Sequence, residues 1–235
     1  MKTTKIKELR TLAKTFLYLE PTPCEIPFII IHPYFDSVMQ GTYNENKELE
    51  LVDIREPENL QKVQSNIEKM IENADLSTLI GMIRPPYHFA FLKYGKPYIS
   101  KKEFDEYLAY MWVNCENPNQ DANLSLKDAV KWFKAADKHT IMSDEEYEYY
   151  SKLPDEVEIY RGIGVGRAEK EGLSWTDKRK TAHWFAHRFD CGDDKGYILK
   201  AKIKKSDILA YFNGRNEDEL LCDSSKIYNV LREQE

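Results

Sequence analysis

The chain has 235 residues, 42% apolar and 31% charged, with a net charge of −6, a globular composition long enough for one large domain or two modest ones. No basic excess marks a nucleic-acid binder. No apolar run marks a membrane span or signal peptide either, since Glu8, Arg10, Lys14, Glu20 and Pro21 interrupt the basic N-terminal stretch. The four cysteines, Cys24, Cys115, Cys191 and Cys222, lie far apart with no Cys-x-x-Cys, which argues against a zinc ribbon or a disulfide framework and for the reducing cytoplasm.

In chain order, residues 4–19 carry Ile6, Leu9, Leu12, Phe16 and Leu17 at helical spacing, and Pro21 and Pro23 stop that helix. Phe28 to Ile31 is rich in β-branched residues between Pro27 and Pro33 and reads as a short buried strand. Glu48 to Val52 alternates like a second strand. Residues 58–73 show another helical stripe, Leu60, Val63, Ile67, Met70 and Ile71, before Pro85-Pro86 breaks the chain. Three helix starts then follow in capping-box form: Ser100 with Glu103, Ser125 with Asp128, and Ser143 with Glu146. Their apolar faces (Phe104, Leu108, Met111, Trp112; Ala129, Val130, Trp132, Phe133, Ala136) predict core packing, and the third helix ends at Pro154.

Beyond Pro154 the texture turns to strands. Val157 to Tyr160 runs into Arg161-Gly162; after a charged loop comes Gly172 to Thr176. Thr176 or Asp177 is placed to cap a helix of about 178–189 with Ala182, Phe185, Ala186 and Phe189 inward. Gly196 to Lys204 alternates, with Tyr197, Leu199, Ala201 and Ile203 on one side and Ile198 with the lysines on the other. Strands at Ile208–Phe212, Leu220–Leu221 and Ile227–Leu231 complete an α+β order. Residues 152–235 hold 16 basic and 16 acidic side chains, so the excess negative charge lies upstream.

Three short motifs stand in this strand region: Tyr160-Arg161-Gly162, Ser174-Trp175-Thr176, and Glu217-x-Glu219 after the turn formers Asn213, Gly214 and Asn216. If the chain is extended there, Glu217 and Glu219 point to one side. In this order the motifs resemble those of the mono-ADP-ribosyltransferases of the arginine–serine–glutamate class, over roughly residues 155–231. The departure is Trp175-Thr176, where that class carries Thr-Ser. The resemblance implies an ADP-ribosyltransferase-like split β-sandwich (155–235) preceded by a helical layer (96–154), together making a catalytic domain of residues 96–235. Residues 1–95 form a small N-terminal α/β segment without a motif, expected to recognise a target or to belong to a phage or bacterial effector.

What the resemblance further implies is chemical. NAD is the co-substrate and a protein is the acceptor, with no nucleic acid and no membrane involved. Arg161 grips the pyrophosphate through paired hydrogen bonds, and Gly162 beside it lets the ligand approach. Ser174 bonds the ribose or holds the acid, its alternative being a plain strand-end hydroxyl. Glu219 stabilises the positive charge that develops as the glycosidic bond opens. Glu217 orients an arginine acceptor and takes its proton. Tyr160, Trp175, Thr176 and Phe185 complete the expected nucleotide-binding set, with core packing the simpler role for Trp175 and Phe185. Two alternatives stay open: an NAD glycohydrolase on the same scaffold, and a binding protein with a vestigial site.

Two other patterns are set aside. Gly162-Ile-Gly-Val-Gly166 has its third glycine in the wrong place for a dinucleotide fingerprint, and no helix clearly follows. His183 and His187 have metal-compatible spacing on a helix but no third ligand, so no metal is expected.

Overall fold

The computed structural model describes residues 3–44, 46–166 and 172–233. It divides into two compact units, residues 1–104 and 105–235, rather than at 95/96. The reason is that the start of the chain grips the residues just beyond 95. Lys5 N donates to Tyr98 O at 2.8 Å, Ser100 N donates to Thr4 Oγ1 at 2.8 Å, and Lys96 Nζ lies 4.8 Å from the Phe104 ring centre.

In the first unit, α1 (Ile6–Leu17) buries Leu9, Ala13, Phe16 and Leu17 as its periodicity predicts. The expected buried strand at 28–31 is not one. After β1 (Thr22–Pro23), β2 is only Ile30–Ile31. Phe28 adopts φ 68°, which turns the chain, and it stands 62% exposed while Ile30 is buried. Next, β3 (Met39–Tyr43) and β4 (Leu49–Asp53) form an antiparallel hairpin, of which only the second strand was legible. The following helix, α2 (Pro57–Asn73), buries Val63 and Ile71 but leaves Met70 exposed. Two helices that the sequence pattern did not reveal follow. The first, α3 (Leu76–Met82), is capped by Asp75 accepting from Thr78 N; the second, α4 (His88–Gly95), is apolar nearly all round. The unit boundary falls inside α5 (Lys101–Asn114).

The second unit opens with the rest of α5, followed by α6 (Leu126–Ala135), α7 (Lys138–Ile141) and α8 (Asp144–Ser151). Of the three expected capping boxes only Ser143–Glu146 is fully reciprocal. Ser125 accepts from Asp128 N, but the Asp128 carboxylate bonds the hydroxyl instead of the backbone, and Glu103 does the same to Ser100. The helix aromatics are core: Trp112 packs edge-on against Phe133 at 5.4 Å, and Phe133 against Phe212 at 6.1 Å.

The strands are β5 (Glu156–Ile163), β6 (Ser174–Thr176), β7 (Tyr197–Lys204), β8 (Ile208–Phe212), β9 (Glu219–Cys222) and β10 (Tyr228–Arg232). They make one antiparallel six-stranded sheet in the order β10-β7-β5-β6-β9-β8, so the unit is α+β. The β5–β7 ladder runs unbroken from Glu156↔Lys204 to Ile163↔Tyr197, whereas β5 and β6 share only the pair Tyr160↔Thr176. The sheet is thus two three-stranded halves joined at its middle by a single pairing. The charged loop at 167–171 lies outside the described residues.

The helix in this region, α9 (Arg179–His187), is shorter than expected, and its N-cap is Lys178 with no side-chain cap. Thr176 Oγ1 accepts only from Lys178 N, at 3.1 Å. Helix α9 lies so close to the sheet that a Cβ on Gly162 would come within 2.1 Å of Ala182 O, and one on Gly196 within 1.9 Å of Ala186 O. It covers Ile198 together with Ala182 and Ala186, so the face of β7 that alternation assigned to solvent is buried at this end, and Phe189 is left outside, exposed. No helix among the described residues is long and apolar enough to cross a membrane.

Candidate functional site

A cleft in the second unit lies at the near-split in the sheet. Tyr160, Arg161, Gly162, Ser174, Trp175, Thr176, Phe185, Glu217 and Glu219 all line it. The register explains the convergence of residues so far apart in sequence: Tyr160 pairs with Thr176, and Thr176 with Glu219. The three motifs therefore sit side by side on β5, β6 and β9, which are neighbours in the sheet. Ser174, two residues from Thr176, shares its side of the strand.

Glu219 is the most perturbed acid of the group. Burial raises its pKa above the ordinary glutamate value, and hydrogen bonds from the Ser174 hydroxyl and the Trp112 indole, with the charge of Arg215, pull it back towards ionisation. The indole Nε1 of Trp112 donates to Glu219 Oε1 at 3.1 Å. Ser174 is itself held, because Asn119 Nδ2 donates to Ser174 Oγ at 2.8 Å, while Asn119 Oδ1 accepts from Leu173 N at 2.6 Å. Asn119 stands on a 3₁₀ turn, Pro118–Gln120.

Arg161 is desolvated, which lowers its pKa from the ordinary arginine value, and Glu219 is the largest attractive charge acting on it. Its guanidinium fills the space where a side chain on Gly172 would stand: a Cβ there would lie 1.9 Å from Arg161 Nη1. Gly172 thus makes the seat of Arg161. The expected role of Gly162, letting a ligand come close, is corrected by the direction of its missing side chain, which points at the α9 backbone. Trp175 is buried, and its indole donates to Gly172 O at 3.3 Å.

The expectation that Glu217 and Glu219 face one way because the chain is extended fails in its reason. Strand β9 begins only at Glu219, and Asn216 and Asp218 are left-handed, at φ 56° and 46°. A turn, not a pleat, brings both acids to the cleft. That turn is pinned at three points. Asp218 N donates to Asn213 Oδ1 at 3.1 Å, Tyr211 OH donates to Asp218 Oδ1 at 3.0 Å, and Asn213 N donates to Glu146 Oε1 at 2.7 Å. Between the pins, Arg215 Nη2 donates to Glu217 Oε2 at 2.8 Å.

At the rim, the Arg188 guanidinium lies 4.8–5.0 Å from the ring centres of Trp184, Phe185 and Phe189. Trp112, Asn119, Arg188 and Arg215 were not legible as site residues. Trp112 looks like core, Asn119 like a turn former and Arg215 like a surface charge; Trp112 reaches the site only through its bond to Glu219 and Asn119 through its bonds to Leu173 and Ser174, each across a long stretch of chain, while Arg215 lines the cleft on the same turn as its partner Glu217. Cys222 is buried, its thiol pushed well above the ordinary value by burial and by the charge of Glu219, which disfavours a thiolate nucleophile. The rings of His183 and His187 lie 4.4 Å apart at a tilt of 46°, and His187 bonds Asp190 at 2.8 Å; no group of three or more metal-ligating side chains occurs among the described residues. No family model, curated protein or solved structure matches the chain.

Proposed function

We propose that the second unit is an NAD-dependent mono-ADP-ribosyltransferase that modifies a protein on arginine, on an ADP-ribosyltransferase-like fold. The observation that supports this reading best is the meeting of Arg161, Ser174 and Glu219 on three adjacent strands around one cleft, with Glu217 at its edge. The half-split sheet and the helices ahead of it also accord with that fold.

The residues fit the co-substrate. A desolvated guanidinium seated in a glycine-made recess suits a pyrophosphate, whose oxygens would supply the hydrogen-bond partners such a group needs. NAD supplies the ADP-ribosyl group and, as leaving group, nicotinamide. As the glycosidic bond opens, positive charge grows on the ribose, and Glu219 stabilises it from a partly dehydrated position where a carboxylate acts strongly. Hydrogen bonds from Ser174 and Trp112 favour the ionised form of Glu219 and aim it. Glu217 orients the acceptor guanidinium and accepts its proton. The reaction would run where free NAD meets the target, in the cytoplasm, including a host cytoplasm if the chain is a phage or bacterial effector.

The test is incubation of the protein with labelled NAD and a cell lysate. A labelled protein band, lost by about 100-fold or more in E219Q, supports the transferase. E217Q should keep nicotinamide release and lose transfer to arginine. Free ADP-ribose without labelled protein would point to a glycohydrolase, and neither product to a binding protein.

A further inference from the structure

The β3–β4 hairpin of the first unit is turned inside out. Its register sets Met39, Gly41 and Tyr43 opposite Asp53, Leu51 and Leu49 on one face, and Gln40 and Thr42 opposite Val52 and Glu50 on the other. The more polar face is the one turned to α2. Thr42 is buried, and its hydroxyl accepts from Asn66 Nδ2 at 2.8 Å; Glu50 is paired with Lys62; Gln40 Nε2 donates to Ser37 O at 2.7 Å. The apolar face is left to solvent, with Leu49 70%, Leu51 71%, Tyr43 62% and Met39 42% exposed. A hairpin with one covered face ordinarily does the reverse. The polar bonds hold this register, since a slip of one residue would turn the leucines inward and send Thr42 and Glu50 out.

The patch continues past the strands. Arg55 Nε donates to Asp53 Oδ1 at 3.0 Å, and the Arg55 guanidinium lies 5.9 Å from the ring centre of the exposed Phe28. With about 200 Å² for each large side chain, the exposed parts of Phe28, Met39, Tyr43, Leu49 and Leu51 come to roughly 600 Å². That is the upper end for the largest apolar patch on a monomer. With its ion pair it approaches the share of about 800 Å² that each partner gives to an interface of ordinary size. Neither strand contains Lys or Arg, and Arg55 is already paired with Asp53, so the face lacks the free cations that grip an anionic lipid surface. What remains is complementary to itself: an apolar centre with one charge of each sign beside it, which a two-fold axis can bring onto its own copy without unbalanced charge.

We propose that this face is the interface of a homodimer, in which the β3–β4 sheets of two copies stack face to face at a spacing of about 10 Å. Leu49 and Leu51 of each copy cover those of the other, while the polar face of each hairpin stays on its own α2. The inference concerns the first unit and is independent of the transferase reading.

The test is sedimentation velocity of the purified full chain over about three decades of concentration, with L51E and Y43K alongside. Wild type should be a dimer at about 10 µM. L51E should weaken the dimer by about 100-fold or more, because it places an unpaired carboxylate in an apolar contact. Circular dichroism and thermal unfolding of L51E and Y43K should match the dilute wild-type monomer, since both side chains are exposed. A benzophenone amino acid in place of Leu49 locates the contact: mixed with isotopically heavy wild type, it should crosslink between copies, onto β3 or β4. Wild type that stays monomeric at the highest concentration, a dimer that both substitutions leave intact, or a crosslink confined to one chain overturns the homodimer. So does a monomer captured only by phosphatidylserine vesicles or only by a different protein.

Discussion

Trp112 and Glu219, 107 residues apart, are joined by an indole-to-carboxylate hydrogen bond of 3.1 Å. The bond favours the ionised form of an acid whose burial favours the neutral one. In the proposed reaction only ionised Glu219 stabilises the transition state, so activity should fall as pH drops through a value above that of an ordinary glutamate. Replacing Trp112 by Phe removes a donor to the charged form, so the pKa of Glu219 rises further and the acid limb moves to higher pH. S174A should act in the same direction. At the plateau, W112F should lose about tenfold in kcat, the worth of one hydrogen bond of about 1–1.5 kcal/mol. A kcat profile for each variant decides it: an acid limb that stays put or moves down would separate Trp112 from the ionisation of Glu219.

Two glycines beside Arg161 should behave oppositely. In G172A the new methyl meets the tip of the Arg161 side chain, at 1.9 Å from Nη1, which can swing away. Fold stability should change little, while displacement of the guanidinium by an ångström or so should raise KM for NAD and lower kcat/KM by about 100-fold. In G162A the new methyl meets backbone, Ala182 O at 2.1 Å and Ala186 N at 2.5 Å, and neither strand nor helix can yield cheaply. That variant should lose about 2–3 kcal/mol of stability, seen as a fall of several degrees in thermal unfolding. Equal destabilisation of the two would show that Gly172 serves the fold and not the seat of Arg161.

Asn119 fixes the start of β6 at two points with one side chain, its amide donating to Ser174 Oγ and its carbonyl accepting from Leu173 N. N119A leaves both partners short of a hydrogen bond in a partly buried setting, which should cost about 1–3 kcal/mol in stability. If its role is positioning, kcat should fall more than KM rises, and N119D, which keeps the acceptor for Leu173 N but loses the donor to Ser174, should recover stability without recovering kcat. Equal recovery of both by N119D would make Asn119 purely structural.

What the sequence carried and what it withheld follow one physical division. Local signals were legible: the helical stripes of α1, α2 and α6, the Ser143–Glu146 box, and the alternation of β7. Motif order along the chain, through its resemblance to the arginine–serine–glutamate class, was enough to nominate Arg161, Ser174, Glu217 and Glu219, and the structure brings all four to one cleft. Illegible were the facts that depend on contact across the unit. Gly162 faces a helix that only the tertiary structure places there, Phe28 turns outward at a positive φ, Ile198 is covered by α9, and Trp112 spends its indole N–H on an acid from the far end of the chain. The left-handed Asp218 belongs to the same class, since aspartate only tolerates that conformation and Tyr211 and Asn213 hold it there.

Glu146 couples a helix cap to the turn that presents both acids. One carboxylate oxygen accepts from Ser143 N to complete the capping box of α8, and the other accepts from Asn213 N at 2.7 Å. In E146Q one oxygen is replaced by an amide that donates, so only one of these two backbone N–H groups can still be satisfied. The cap alone is worth about 1 kcal/mol, and the stability loss should be of that size whichever N–H is abandoned. Activity separates the outcomes. If the turn is released, Glu217 shifts relative to Glu219, and transfer to a guanidine acceptor should fall by about tenfold or more while nicotinamide release, which needs Glu219 on β9, falls less. S143A removes the hydroxyl side of the same cap and leaves the Glu146–Asn213 bond intact, so it should match E146Q in stability and keep transfer. Loss of transfer in S143A to the same extent would assign the effect to α8 as a whole and not to the bond at Asn213.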